Sequence, residues 1–392
     1  MPTDARLQAL AEAYGTPLYV YDLGAVEARI DRLRSAFPGA ALRYAVKANP
    51  AACVLRTMAA AGVGAEVITL GEAVRAHAAG VPAGRTLVGG PGQDERLRAW
   101  AAEAPVAHVS LDHEGQWEAW RARAPQGARF LVRVHPGLDP GTHAHLATGA
   151  AGSKFGLPPA AARALATRVQ DAGRLAGFHV HAGSMITDVG VHQRILEGLT
   201  PLFRAFPAAD TLNLGGGFAV PDFPLEALAA RVRPWLAQHG ASLILEPGRW
   251  VTADAGTLLT RVLWRKEGPP THWITDAGMA QLLRPALYDA HHPIRRVGPS
   301  AAPDGHGDVD GPLCENADRL GRERTLAAGP GDLLAVERAG AYGFAMASNY
   351  ASELRPAEVA VRGDEAWLAR RRETPDDLMR PEREAASSPR AD

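Results

Sequence analysis

Lysine is scarce in this chain. Of 42 lysines and arginines, three are lysines: Lys47, Lys154 and Lys266. Arginine cannot form an imine, so imine chemistry here would have three candidate residues. Cysteine is scarcer still. Cys53 and Cys314 exclude a disulfide framework and a cysteine-built metal cluster, and no metal site is expected. Net charge is −1, which leaves no basic footprint for nucleic acid and no polybasic membrane patch. No apolar run approaches the roughly 18 residues of a membrane-spanning helix. The N-terminal Met1-Pro-Thr-Asp-Ala-Arg lacks the apolar core of a signal peptide, so a cytoplasmic location is expected. What remains is an ordinary soluble composition, 46% hydrophobic and 22% charged over 392 residues, enough for roughly two domains.

Ala5 to Tyr14 reads as a short amphipathic helix, Pro17 to Asp22 as a strand and Leu23 to Phe37 as a helix. Apolar runs then recur at Leu42–Val46, Ala65–Thr69, Thr86–Val88, Ala107–Leu111, Phe130–Val134, Gly177–Val180, Leu212–Leu214 and Leu243–Leu245. Segments of helical length and period separate them, such as Pro158–Ala172, His192–Phe206 and Leu225–His239. Eight strands alternating with helices predict an α/β fold, a (β/α)8 TIM barrel, with a doubly wound open sheet as the structural alternative. After Gly248 the pattern changes to short strand-like runs at Thr257–Trp264, Trp273–Asp276, Leu333–Val336 and Val359–Val361, which predicts a mostly β second domain. Ser300 to Gly311 reads as an exposed loop, and the polar tail 381–392 as disordered.

Lys47 follows the first run of the barrel, before the break at Asn49-Pro50. A lysine at the end of a buried strand is costly unless paired, neutralised or covalently used; a lysine that snorkels outward fits the same stretch. Barrel enzymes place reactive groups at strand C-termini. Three further groups fall there: His181-Ala-Gly-Ser184, Gly215-Gly216-Gly217 and Glu246-Pro-Gly248-Arg249. Each has a use toward pyridoxal 5'-phosphate. The glycines admit backbone amides to a phosphate, and the helix that follows would add its N-terminal end, although a triplet alone equally suits a strand-to-helix turn. Ser184 can donate to the phosphate, and Arg249 can clamp it or a carboxylate. His181 can stack on the ring, or be a satisfied core histidine. Glu246 ends an apolar strand and needs a partner, which a protonated pyridine nitrogen supplies.

Tyr44-Ala-Val-Lys47-Ala-Asn, His181-Ala-Gly-Ser184, the glycine triplet, Glu246-Pro-Gly-Arg249, Cys314-Glu315 and Gly340-Ala-Tyr342-Gly resemble the fold-type III pyridoxal-phosphate decarboxylases. Within them the chain is most similar to the diaminopimelate decarboxylases. Asp276-Ala-Gly-Met279, Arg284-Pro-Ala-Leu-Tyr288, Ser153-Lys-Phe-Gly156 and Met346-Ala-Ser-Asn-Tyr350 with Arg355-Pro-Ala-Glu358 carry the narrower match. The resemblance implies a pyridoxal-phosphate barrel over residues 26–255 and a β domain over 256–380 that takes in the N-terminal segment 1–25. It also implies a homodimer with shared active sites. Lys47 would carry the cofactor, Glu246 would face its pyridine nitrogen, and His181 would stack on its ring. Ser184, Gly215, Gly216, Gly217, Gly248, Arg249 and Tyr342 would complete the cofactor contacts. Arg249, Arg284, Tyr288, Glu315 and Tyr342 would contact substrate, and Cys314 of the partner subunit would donate a proton.

The implied reaction turns meso-2,6-diaminopimelate into L-lysine and carbon dioxide, in lysine biosynthesis. Other substrates of the same fold are ornithine, carboxynorspermidine and a siderophore intermediate such as citryl-ornithine. An alanine-racemase-like enzyme would need a tyrosine base where this chain offers Cys314. A non-enzymatic cofactor-binding protein would resemble the barrel alone. The chain departs from the family pattern at Glu66, at Asn316-Ala317, and at Gln93 and Ala351, whose two motifs are expected near the substrate pocket or its rim.

Overall fold

The computed structural model describes residues 2–125, 127–135 and 154–387. Of the family-like segments, Ser153 lies outside them. The chain forms two compact units, one of Met1–Ala25 with Thr252–Asp392, the other of Val26–Val251.

In the first unit, a helix at Asp4–Tyr14 is capped by Thr3, whose hydroxyl accepts from the Arg6 amide. It leads to strand β1 (Leu18–Asp22), whose Leu-Tyr-Val-Tyr run is buried throughout. The second unit is the barrel. Its strands are β2 (Ala41–Ala45), β3 (Gly64–Val67), β4 (Thr86–Val88), β5 (His108–Leu111), β6 (Arg129–Arg133), β7 (Leu175–His179), β8 (Thr211–Asn213) and β9 (Ser242–Leu245). All eight pair in parallel, and the sheet closes where Ala41 and Leu42 of β2 meet Ile244 and Leu245 of β9. Closure excludes the open doubly wound sheet. Leu87, Leu131, Ala176 and Ile244 pack against one another as one buried layer. The expected helices form at Pro159–Asp171, Val189–Ala205 and Leu225–His239, the last closed by Gly240 in the left-handed conformation.

The chain then returns to the first unit through β10 (Gly256–Lys266), which pairs antiparallel with β1. There follow β11 (Thr271–Thr275), β12 (Ile294–Arg296), β13 (Gly305–Asp310), β14 (Arg319–Leu326), β15 (Leu333–Val336), β16 (Ala357–Arg362) and β17 (Glu365–Arg370). β1 also pairs in parallel with β16, so the N-terminal strand is an interior member of this sheet. Leu18 and Val20 join Leu7, Leu10, Leu259 and Val359 in its core.

Two expectations are corrected. Ser300–Gly311 is not a loop throughout, because β13 pairs with β11 and β14. Its glycine is the reason: a Cβ on Gly307 would lie 1.8 Å from the Thr271 carbonyl oxygen, so a side-chain-free residue lets the strands approach. The polar tail is also helical as far as it is described, over Pro375–Ser387. Asp376 and Asp377 fill its first turn, and Arg383 and Arg380 pair with them at 2.9 and 2.6 Å.

Candidate active site

Polar residues concentrate at the C-terminal mouth of the barrel. β6, β7 and β8 end on Arg133, His179 and Asn213, all buried, and Glu246 follows β9 directly. Buried polar groups are costly unless bonded, so their partners define the site.

β2 ends at Ala45, and Lys47 is the middle residue of a short 3-10 turn, Val46–Ala48. Its Nζ lies 2.7 Å from Glu66 Oε2 on the adjacent β3. The Glu66 side chain is 5% exposed and that of Lys47 40%, so the amine reaches from the mouth into a buried carboxylate. Glu246 is buried. Its Oε1 accepts from Asn213 Nδ2 at 2.7 Å, and its Oε2 lies 3.7 Å from His179 Nε2. Burial, then the nearby Glu66 charge, pushes its carboxyl up to about 7, against the pull of Lys47, Asn213 and Arg133.

His181 accepts from the Gly216 amide through Nδ1 at 3.2 Å. Burial, reinforced by Arg133 and Lys47, pushes its imidazole down to about 3, so the ring is neutral with its proton on Nε2. The glycine triplet packs against this histidine and its neighbours. A Cβ on Gly215 would lie 2.5 Å from His181 Nδ1, one on Gly216 2.3 Å from the Glu246 carbonyl oxygen, and one on Gly217 2.1 Å from that of Gly183. The triplet is therefore a close crossing of three loops rather than a flexible turn. The helix expected to open on it starts eight residues later, at Leu225. Beside this crossing, Arg249 Nε donates to Ser184 Oγ at 3.3 Å. Arg249 directly follows Gly248, where a Cβ would press on Ala45 and Ala48 at 3.1 Å.

Five contributors went unread in the sequence. Arg133 is held by Asp112 at 3.0 Å, and Asp112 also accepts from the Gly156 amide. Ser110 Oγ lies 2.7 Å from His179 Nδ1. Asn213 orients Glu246. For Arg133, Asp112, His179 and Asn213 the signal is a polar residue at or just beyond the end of a largely apolar strand; Ser110 lies within β5. Glu66, noted only as a departure from the family pattern, is the ion-pair partner of Lys47. Gln93 is 1% exposed; it accepts from Trp120 Nε1 at 2.6 Å and donates to the Ser110 carbonyl at 2.7 Å.

The remaining predicted residues belong to the other unit. Arg284 and Tyr288 are the first and last residues of a one-turn helix. Arg284 donates to His292 Nε2 at 2.8 Å, which leaves His292 Nδ1–H to donate to the Glu337 carbonyl. Cys314 and Glu315 are exposed on a loop fastened by Asp318, whose carboxylate accepts from the Met279 and Leu313 amides. Tyr342 is half-buried with φ +58.

Among the described residues the barrel mouth thus offers the Lys47 amine, the buried Glu246 carboxyl pushed up to about 7, the neutral His181 imidazole and the Ser184–Arg249 pair. Pyridoxal 5'-phosphate requires this donor set: an amine for its aldehyde, an anion for its ring nitrogen and cationic or hydroxyl donors for its phosphate. His179 Nε2 is buried 3.7 Å from Glu246 Oε2, with no hydrogen-bond partner among the described residues.

Residues 23–253 match the family model for the pyridoxal-binding domain of pyridoxal-dependent decarboxylases. Over 374 residues the chain is 41% identical to diaminopimelate decarboxylase of Deinococcus radiodurans, covering 95% of this chain and 97% of that protein. The enzyme of the same name from Zymomonas mobilis is 37% identical over 404 residues, covering 97% and 95%. The crystal structure of diaminopimelate decarboxylase from Helicobacter pylori complexed with L-lysine superposes with a TM-score of 0.89 at 30% identity, covering 97% of this chain and 100% of that one.

Proposed function

Because this chain belongs to the pyridoxal-dependent decarboxylases, we propose that it decarboxylates meso-2,6-diaminopimelate to L-lysine. The observation that carries the reading is 41% identity extending over nearly the whole length of both proteins, β unit included. Bound at the barrel mouth, pyridoxal phosphate supplies the electron sink for the pair left at the α-carbon when carbon dioxide departs.

The chain's own residues serve that chemistry as follows. Lys47 Nζ provides the amine that links the cofactor aldehyde, and Glu66 orients it. Glu246 holds the ring nitrogen's proton in place. Its position near neutrality means that an adjacent cation draws it fully into the charged form. His181 packs its neutral ring on the cofactor's face, with Gly216 fixing the ring plane. Ser184, Arg249, Gly248, Tyr342 and the Gly215–Gly217 crossing bind the phosphate. Arg284 binds the substrate's distal carboxylate, Glu315 its distal ammonium, and Tyr288 and Tyr342 hydrogen-bond beside them.

The active form is a homodimer in which the Cys314 thiol and Glu315 serve the partner's barrel. Cys314 then returns a proton to the α-carbon. The exposure of Cys314 on a fastened loop supports this assignment. A cytoplasmic location agrees with the two free cysteines, and no helix among the described residues is long and apolar enough to cross a membrane.

The test supplies purified enzyme with carboxyl-labelled meso-diaminopimelate, lysine and ornithine and follows carbon dioxide release. Release from diaminopimelate with matching L-lysine is expected. The site is built to bond a second charged amino-acid end, so analogues lacking that end should lose about 10⁴-fold in kcat/KM. Faster turnover of ornithine or lysine refutes the substrate assignment.

A further inference from the structure

His179 is used by none of the roles above, yet it is buried at the centre of the site. Its Nδ1 lies 2.7 Å from Ser110 Oγ, and its Nε2 has no hydrogen-bond partner among the described residues. That nitrogen is aimed at Glu246 Oε2, 3.7 Å away, while Asn213 occupies the other oxygen, Oε1. The separation is longer than a hydrogen bond, and a side-chain shift of about half an ångström closes it.

We propose that Ser110 and His179 form a tautomer relay behind Glu246, making His179 a positioning residue for the carboxylate. With Glu246 charged, the Ser110 hydroxyl donates to Nδ1 and Nε2–H donates to Oε2. With Glu246 protonated, the carboxyl donates to Nε2, and Nδ1–H donates to Ser110 Oγ. The imidazole is neutral in both states. One proton exchanges place between its two nitrogens, and the serine hydroxyl rotates between donating and accepting. A fixed donor, such as a backbone N–H, would match one state and oppose the other.

The surroundings favour a neutral imidazole. Burial first, then Arg133, His181 and Lys47, holds its pKa well below the ordinary histidine value. The groups acting on Glu246 are Glu66, Lys47, Arg133 and Asn213, and their balance leaves both its charge states accessible near neutral pH. Asp112 is committed to Arg133.

The inference rests on Glu246 facing the cofactor's ring nitrogen, and the experiment separates the two. Apoenzyme is titrated with pyridoxal phosphate across pH, and holoenzyme is examined with the cofactor's ring nitrogen labelled with nitrogen-15. H179F removes the donor to a charged oxygen. It should weaken cofactor binding by about 10- to 100-fold and move the ring-nitrogen signal toward the unprotonated form. H179Q, whose Nε2 can donate from a similar place, should recover most of both. S110A should shift both readouts the same way by a smaller factor, and it carries the test if H179F does not fold. Folded H179F and S110A enzymes with wild-type binding profiles and ring-nitrogen signals overturn the relay alone. So does H179Q as impaired in binding as H179F with an unmoved ring-nitrogen signal. Wild-type protein that fails to bind pyridoxal phosphate overturns the functional reading and the relay together.

Discussion

Lys47 and Glu246 show how far single residues were legible. Lysine scarcity and a strand-end position pointed to Lys47, and an acid ending an apolar strand pointed to Glu246. Their partners were not legible, because pairing depends on which strands are neighbours. Glu66 meets Lys47 only because β2 and β3 pair in parallel, with Ala45 opposite Glu66. Arg133, His179 and Asn213 stand in runs whose other residues are largely apolar, which masked them. The Arg284 guanidinium donates to His292 Nε2 at 2.8 Å. Arg284→Ala should lower kcat/KM for diaminopimelate by at least about 10²-fold, the cost of a lost charged contact. An unchanged kcat/KM in steady-state assays would give Arg284 a structural role alone.

Among the elements, the barrel strands were readable because strands covered on both faces are continuous apolar runs. β13 and β14 were not, since Gly-His-Gly-Asp-Val-Asp and Arg-Leu-Gly-Arg-Glu-Arg carry their polar side chains on a partly exposed sheet. Val309, Leu320 and Leu326 are their buried apolar side chains. The glycine triplet was readable as a motif but not as a mechanism. Its physical role is to let three loops cross within van der Waals distance at the site. Gly216 tests this most cleanly, since its φ is not in the left-handed range and only space is at issue. Gly216→Ala must displace the Glu246 backbone. It should destabilise the protein by about 1–3 kcal/mol, the usual cost of overpacking, and weaken cofactor binding in the same variant. Denaturant unfolding and cofactor titration read the two effects, and a variant normal in both would contradict the crossing's role.

For the whole molecule, the sequence indicated a barrel with a β partner unit, and β1 pairing with β10 and β16 explains why the N-terminus joins the latter. Association between subunits is where assembly chemistry enters. Lys47→Ala and Cys314→Ala enzymes, each inactive alone, should regain activity when mixed under conditions of subunit exchange. Random reassortment would restore up to about a quarter of the sites, since each needs both wild-type contributions. No recovery despite proven exchange would mean that each chain supplies its own thiol.

One lysine at the barrel mouth, Lys47, anchors the proposed chemistry. Borohydride reduction of the holoenzyme fixes any imine to its lysine, and peptide mass analysis then locates the pyridoxyl group. A single modified residue, Lys47, is expected; a label on Lys154 or Lys266, or no label, would overturn that role.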